Sequence, residues 1–258
     1  MLNKLLKYDL KWINKVLIVY YIILLIIGIL TRCSLLLSDS TINIIIRGIL
    51  RGTFIGVFCS TIINALMRLW ARFNLNIYKD ESYLTHTLPV KRGLVFDSKI
   101  LSGIFVLALS LLLILFSADI AFLELDIDAT MDFFRTAMGI NNPMTIIKLI
   151  IIFFLELLAM MLCGIFGLIL GHKSNNGKMI KSVLVGIITY MIIQMITLMI
   201  MYFISLYNPL IAELYGVGLS SHKALKLLVN ITLILYFIYD LSLYIMSRIM
   251  FIKGIDVE

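Results

Sequence analysis

Proline, cysteine, histidine and charge are all scarce in this chain of 258 residues. The prolines are Pro89, Pro143 and Pro209, and none falls within a long apolar run, so no proline breaks a helix there. Cys33, Cys59 and Cys163 share no short spacing. That excludes a disulfide framework or a zinc motif and leaves small apolar groups in helix packing. His86, His172 and His222 are equally scattered, with no metal-ligand spacing. Charged residues make up 14% of the chain, against about 25% in a soluble domain.

What is present is apolar. Hydrophobic residues reach 62% and the mean hydropathy is +1.06. A water-soluble fold of this length has no interior large enough for them. Lipid as the solvent removes the problem, provided each span satisfies its own backbone. The apolar runs are continuous rather than alternating, which selects helices over a barrel. Six runs approach the ~20 residues that cross a bilayer, at 14–31, 50–70, 99–118, 147–171, 182–206 and 226–247. The fold class expected is therefore an all-α polytopic membrane protein. It forms a single transmembrane domain over 1–258, without internal repeats or linkers.

Lysine and arginine in the short loops set the orientation. With the N-terminus inside, 15 basic residues fall inside and 7 outside or at the outer boundary. Both termini are then cytoplasmic. The net charge of +7 follows from these loops and calls for no nucleic acid. The N-terminal lysines and the apolar run to Leu30 resemble a signal peptide. However, no small-residue cleavage site follows, and Thr31 and Arg32 occupy the positions that a lipoprotein site at Cys33 requires to be small. An uncleaved first span is expected.

Residues 1–15 carry Lys4, Lys7, Lys11 and Lys15 on one helical stripe, with Leu2, Leu5, Leu6, Leu10, Trp12 and Ile13 opposite. That predicts an amphipathic interfacial entry helix. Asp9 falls within its apolar face. Either a tilt lets it reach water, or it pairs with a basic residue at a helix end. The outer stretch 206–224 is too apolar for a solvated loop, which predicts a re-entrant segment or a short surface helix.

Two carboxylates lie within spans: Glu156 in the fourth, and Asp240 toward the inner end of the sixth. A charge in hydrocarbon costs roughly 2.5–3.5 kcal/mol on insertion scales, so each needs a partner or a polar pathway. Tyr236, Tyr239, Tyr244 and Arg248 are the nearby candidates for Asp240, and the two carboxylates are expected at different depths. Gly164, Gly167 and Gly171 suit close helix packing. Gly171-His172-Lys173-Ser174 lacks the spacing of a phosphate loop, and the paired glutamates and spaced histidines of intramembrane CAAX-type proteases are missing. No catalytic, metal or cofactor residues are assigned, and the chain is not expected to be an enzyme by itself.

Between the second and third spans, residues 71–98 form an expected cytoplasmic segment that carries Tyr83, Leu84, Leu88 and Val90 on the water side. Apolar groups rimmed by charge mark a docking surface. Pro89 ends any helix before it, so a short helix is predicted near 80–88.

The run Asp80-Glu81-x-Tyr83-Leu84-Thr85-His86-Thr87-Leu88-Pro89-Val90, followed by Ser98-Lys99 at the start of a span, resembles the permease subunits of bacterial ABC exporters of the type-two class. The opening Leu6-Lys7-Tyr8-Asp9-Leu10-Lys11 is similar to their entry helix, while Ser82 stands where many relatives have glycine. The resemblance implies a six-span half-transporter in a bacterial plasma membrane. Residues 80–89 would be its ATPase-coupling element, and a re-entrant element would follow the fifth span. It also implies a separate ATP-binding subunit that carries ATP and Mg at the cytoplasmic face, and a second permease subunit. The cargo expected is hydrophobic or amphipathic, such as an antimicrobial peptide. An ion-coupled transporter using Glu156 and Asp240, or an immunity protein that sequesters a peptide, are the alternatives.

Overall fold

The computed structural model describes residues 2–38, 40–79, 81–87, 89–122, 132, 135, 142–174, 176–208 and 222–254. They include seven helices: α1 (Leu2–Leu35), α2 (Thr41–Tyr78), α3 (Ser82–Thr87), α4 (Arg92–Phe122), α5 (Pro143–Gly171), α6 (Lys178–Tyr207) and α7 (His222–Lys253). All but α3 are long and apolar enough to cross a membrane. No strand occurs among the described residues.

Each long helix outruns the apolar stretch that announces it. The 38 residues of α2 extend roughly 57 Å at 1.5 Å per residue, against about 30 Å of hydrocarbon. Two expectations change as a result. Residues 1–15 are not a separate element, because α1 runs unbroken from Leu2 to Leu35. Nor is the segment 71–98 one long connection. Residues 71–78 continue α2 and 92–98 begin α4, since neither stretch contains a proline. The true connection is 79–91, with α3 inside it. At the other end of the chain, α5 starts at Pro143 because Asn142 caps it, its Oδ1 accepting from the Met144 amide at 2.9 Å.

The chain divides into two compact units, where one domain is the simplest expectation from sequence. The first holds Met1–Arg72 and Asp97–Thr130; the second holds Phe73–Phe96 and Met131–Glu258.

In the first unit the buried face of α1 reads Asp9, Ile13, Leu17, Tyr21, Leu24, Gly28 and Thr31. Steps of three and four residues make this one straight stripe. Leu24 packs with Phe54 of α2 and with Ile114 and Ala121 of α4. Ser117 of α4 donates to the Leu24 carbonyl at 2.9 Å, and Tyr21 and Ser110 share a buried hydroxyl pair at 2.7 Å. A side chain at Gly28 would stand 2.6 Å from Ser117 Oγ, so glycine lets α1 and α4 approach there.

In the second unit α5 and α6 form a hairpin around the turn 172–177. Gly177 holds φ +67°, a left-handed conformation that favours glycine. The two helices are in backbone contact. A side chain on Gly167 would meet the Ser182 carbonyl and stand 2.7 Å from the Gly186 amide, and one on Gly171 would run into Ser182. Gly186 in turn packs against Cys163 and Gly164.

Candidate functional site

In the first unit, Asp9 is paired. Its Oδ1 accepts from Arg72 Nε at 2.9 Å and from Lys99 Nζ at 2.6 Å, and the residue is only 2% exposed. Trp12, one turn further along α1, lies under two guanidiniums, with Arg68 at 5.4 Å and Arg72 at 5.2 Å from its ring centre. Thus Asp9 does not reach water. It joins the residue after which α2 leaves this unit to a residue just beyond the return of α4. The arrangement carries no nucleophile and no acid–base pair; its chemistry is that of a clamp.

In the second unit the segment 73–96 is fastened at both ends. Phe73 and Phe96 pack against each other at 6.3 Å, and against Phe251 of α7 at 6.0 and 5.3 Å. Phe96 also meets Tyr244, and the Arg248 guanidinium lies over Gly93. Further along, the Tyr78 ring stacks on His172 in the α5–α6 turn, with centres 3.9 Å apart, and Asn74 reaches Met179. Burial among these groups holds His172 below the ordinary imidazole pKa, helped by the charges of Lys178 and Lys79 and opposed by its bond to the Leu168 carbonyl.

The short helix α3 is held by the same unit. Glu81 is turned inward, its Oε2 accepting from Asn76 at 2.8 Å. Thr85 donates to the Glu81 carbonyl and Thr87 to the Tyr83 carbonyl. Glu81, Thr85 and Thr87 therefore act inside the segment. Tyr83 and Leu84, 76% and 66% exposed, are its outward apolar groups, and Pro89 is exposed after them. Asp80, Leu88 and the side chain of His86 lie outside the described residues, as does 209–221, which covers most of the expected re-entrant segment.

A polar array crosses the interior of the second unit. Tyr190 of α6 donates to Glu156 of α5 at 3.0 Å. Gln194, one turn on, donates to the Tyr236 hydroxyl of α7 at 3.1 Å. Thr197 lies 3.4 Å from the Tyr239 hydroxyl. Asp240 is 9% exposed, and neither of its oxygens has a hydrogen-bond partner among the described residues. The tyrosine and Arg248 partners expected for it therefore do not form. Glu156 stands 15 residues before the end of α5, and Asp240 13 before the end of α7. Both act on the Tyr236 hydroxyl. Asp240 sits in the middle of its helix because α7 continues to Lys253, six residues past the apolar run.

No family model, curated protein or solved structure matches the chain.

The geometry thus brings Glu156 and Asp240 into one array, keeps Tyr83 and Leu84 together on α3, and places Gly164, Gly167 and Gly171 along the α5–α6 contact. It adds Tyr190, Gln194 and Thr197, which sequence reasoning passed over. Their signal was available: three polar residues at steps of four and three within an apolar run mark one helix face. Arg72 and Lys99 as joint partners of Asp9 had no local signal, because they lie 63 and 90 residues away from it.

Proposed function

We propose that this chain is the membrane-spanning permease subunit of an ATP-driven exporter of the type-two ABC class, in a bacterial plasma membrane with both termini cytoplasmic. A separate ATP-binding subunit docks on α3, and a second permease subunit completes the pathway. The cargo is hydrophobic or amphipathic, in keeping with spans that carry few polar groups. The observation that carries this reading is the seating of α3. Two large apolar groups, Tyr83 and Leu84, project from a short helix whose supports bind α7 and the α5–α6 turn. A push on such a knob moves transmembrane helices, as nucleotide-driven switching requires. Residues 1–15 serve as the interfacial start of α1, with their lysines exposed.

The test is affinity purification of the chain from its own membrane, with a search for a co-purifying ATP-binding subunit and its ATPase activity. Leu84→Asp is expected to lower co-purification and transport-stimulated ATPase activity at least tenfold while membrane insertion stays normal. Undiminished co-purification and ATPase activity would sink this reading.

An ion-coupled secondary transporter is the second reading. It is favoured by the polar array of the second unit, in which Glu156 takes the Tyr190 hydroxyl and Asp240 lies one turn from Tyr236. Uptake or efflux driven by an imposed pH gradient, without nucleotide, would select it.

A further inference from the structure

Asp240 is the one carboxyl group of the array without a donor. Glu156 is half-buried and takes the Tyr190 hydroxyl. Asp240 is nine-tenths buried, and each of its oxygens exposes less than 1 Å² without a hydrogen bond. An ionised carboxylate is an acceptor at two oxygens, with about four lone-pair positions to satisfy. Leaving all of them bare in an apolar interior is far more costly than burying the neutral acid.

Among the described residues, the groups around it offer no countercharge. From α5, the Cys163 thiol faces it. From its own helix, Tyr236 faces it one turn before, and Tyr244, one turn after, is engaged with Phe96. Gln194 and Thr197 of α6 spend their hydrogen bonds on Tyr236, Tyr239 and the Ile193 carbonyl. Lys148 of α5 is bonded to Asn230 at 2.6 Å, and Arg248, two turns along α7, lies over Gly93. An organic cation would need surface on the carboxyl to touch, and there is almost none. A hydrogen ion needs no volume.

We propose that Asp240 is an intramembrane proton-binding site, holding its proton as a neutral carboxylic acid in the packed α5–α7 arrangement. When α7 parts from α5 at this level and water enters, the carboxyl O–H bond breaks. Water takes the proton, and the carboxylate is left hydrated. Repacking of the helices reverses the exchange. Movement of these helices therefore carries one proton on and off the protein whichever energy source drives transport, and in the ion-coupled reading this is the coupling carboxyl.

Infrared difference spectroscopy of the full chain in lipid nanodiscs at pH 7 tests this. The expected result is a carbonyl band of a protonated carboxyl that shifts in D2O, shifts again when aspartate carries a 13C-labelled carboxyl, and is lost in Asp240→Asn. Glu156→Gln should leave the band in place. A labelled wild type without an aspartate-sensitive band overturns the idea before any variant is made, so a folding failure of Asp240→Asn does not rescue it. In that event Asp240→Glu should keep a protonated-carboxyl band that no longer responds to aspartate label. A wild type with no such band, a band insensitive to aspartate label, or one that survives Asp240→Asn overturns the proposal.

Discussion

Lys99 Nζ donates to Asp9 Oδ1 at 2.6 Å across 90 residues of chain, and both side chains are buried. With Arg72 on the same oxygen, one carboxylate neutralises part of a pair of cations that an apolar environment would otherwise expel. The sharing of Asp9 makes it the most sensitive of the three positions.

Asp9→Asn should therefore cost about 3–5 kcal/mol, the range for breaking a buried ion pair from one side. Thermal unfolding in detergent would show it as a large fall in midpoint. Replacing all three residues together with leucine or methionine should recover most of the loss, because no buried charge is then left alone. A single substitution that leaves the midpoint unchanged would mean that the triad contributes nothing to stability.

The α5–α6 contact makes a contrast between glycines. Gly171→Ala places a methyl group against Ser182, where the backbone must move, and overpacking of that kind costs about 1–3 kcal/mol. Gly52→Ala and Gly56→Ala, inside α2, meet nothing within 4 Å and should stabilise by about 0.4–1 kcal/mol. Parallel thermal melts of the three variants check the difference, and equal melts would contradict the close approach.

His172 gives a pH dependence with a defined sign. Burial lowers its pKa in the folded protein from the ordinary 6.5, so the unfolded chain binds a proton more readily than the folded one. The stabilisation is complete above 6.5 and declines as the pH falls below it toward the folded value. The melting temperature should drop between pH 7.5 and pH 5.5, and drop less in His172→Gln. The variant will also start lower, because it loses the stack on Tyr78. An equal drop in both proteins would remove His172 as the source.

The six spans are legible in the sequence because burial in lipid demands long uninterrupted apolar runs, and little else in a protein produces them. Helix ends are less legible. Residues such as Arg72-Phe73-Asn74-Leu75 are polar enough to resemble a loop, yet nothing in them stops a helix that has already begun, and α2 continues through them. Asp9 could be singled out as a polar residue on an apolar stripe. Its partners could not, since pairing over 63 and 90 residues depends on how three helices lie together. Asp240 was noticed for the same reason as Asp9, but its isolation is a property of its neighbours and invisible in one dimension.

Successive residues at the edge of the connecting segment have different duties: Arg72 binds Asp9, and Phe73 packs on Phe251. Inside a helix, one inserted residue rotates everything after it by ~100°. An insertion between Phe73 and Tyr78 would thus leave only one of the contacts on Phe251 and His172 correctly aimed. Length variation tolerated by natural relatives, or epitope tags placed by an engineer, should accordingly be confined to the few residues around Pro89, where no helical phase has to be kept.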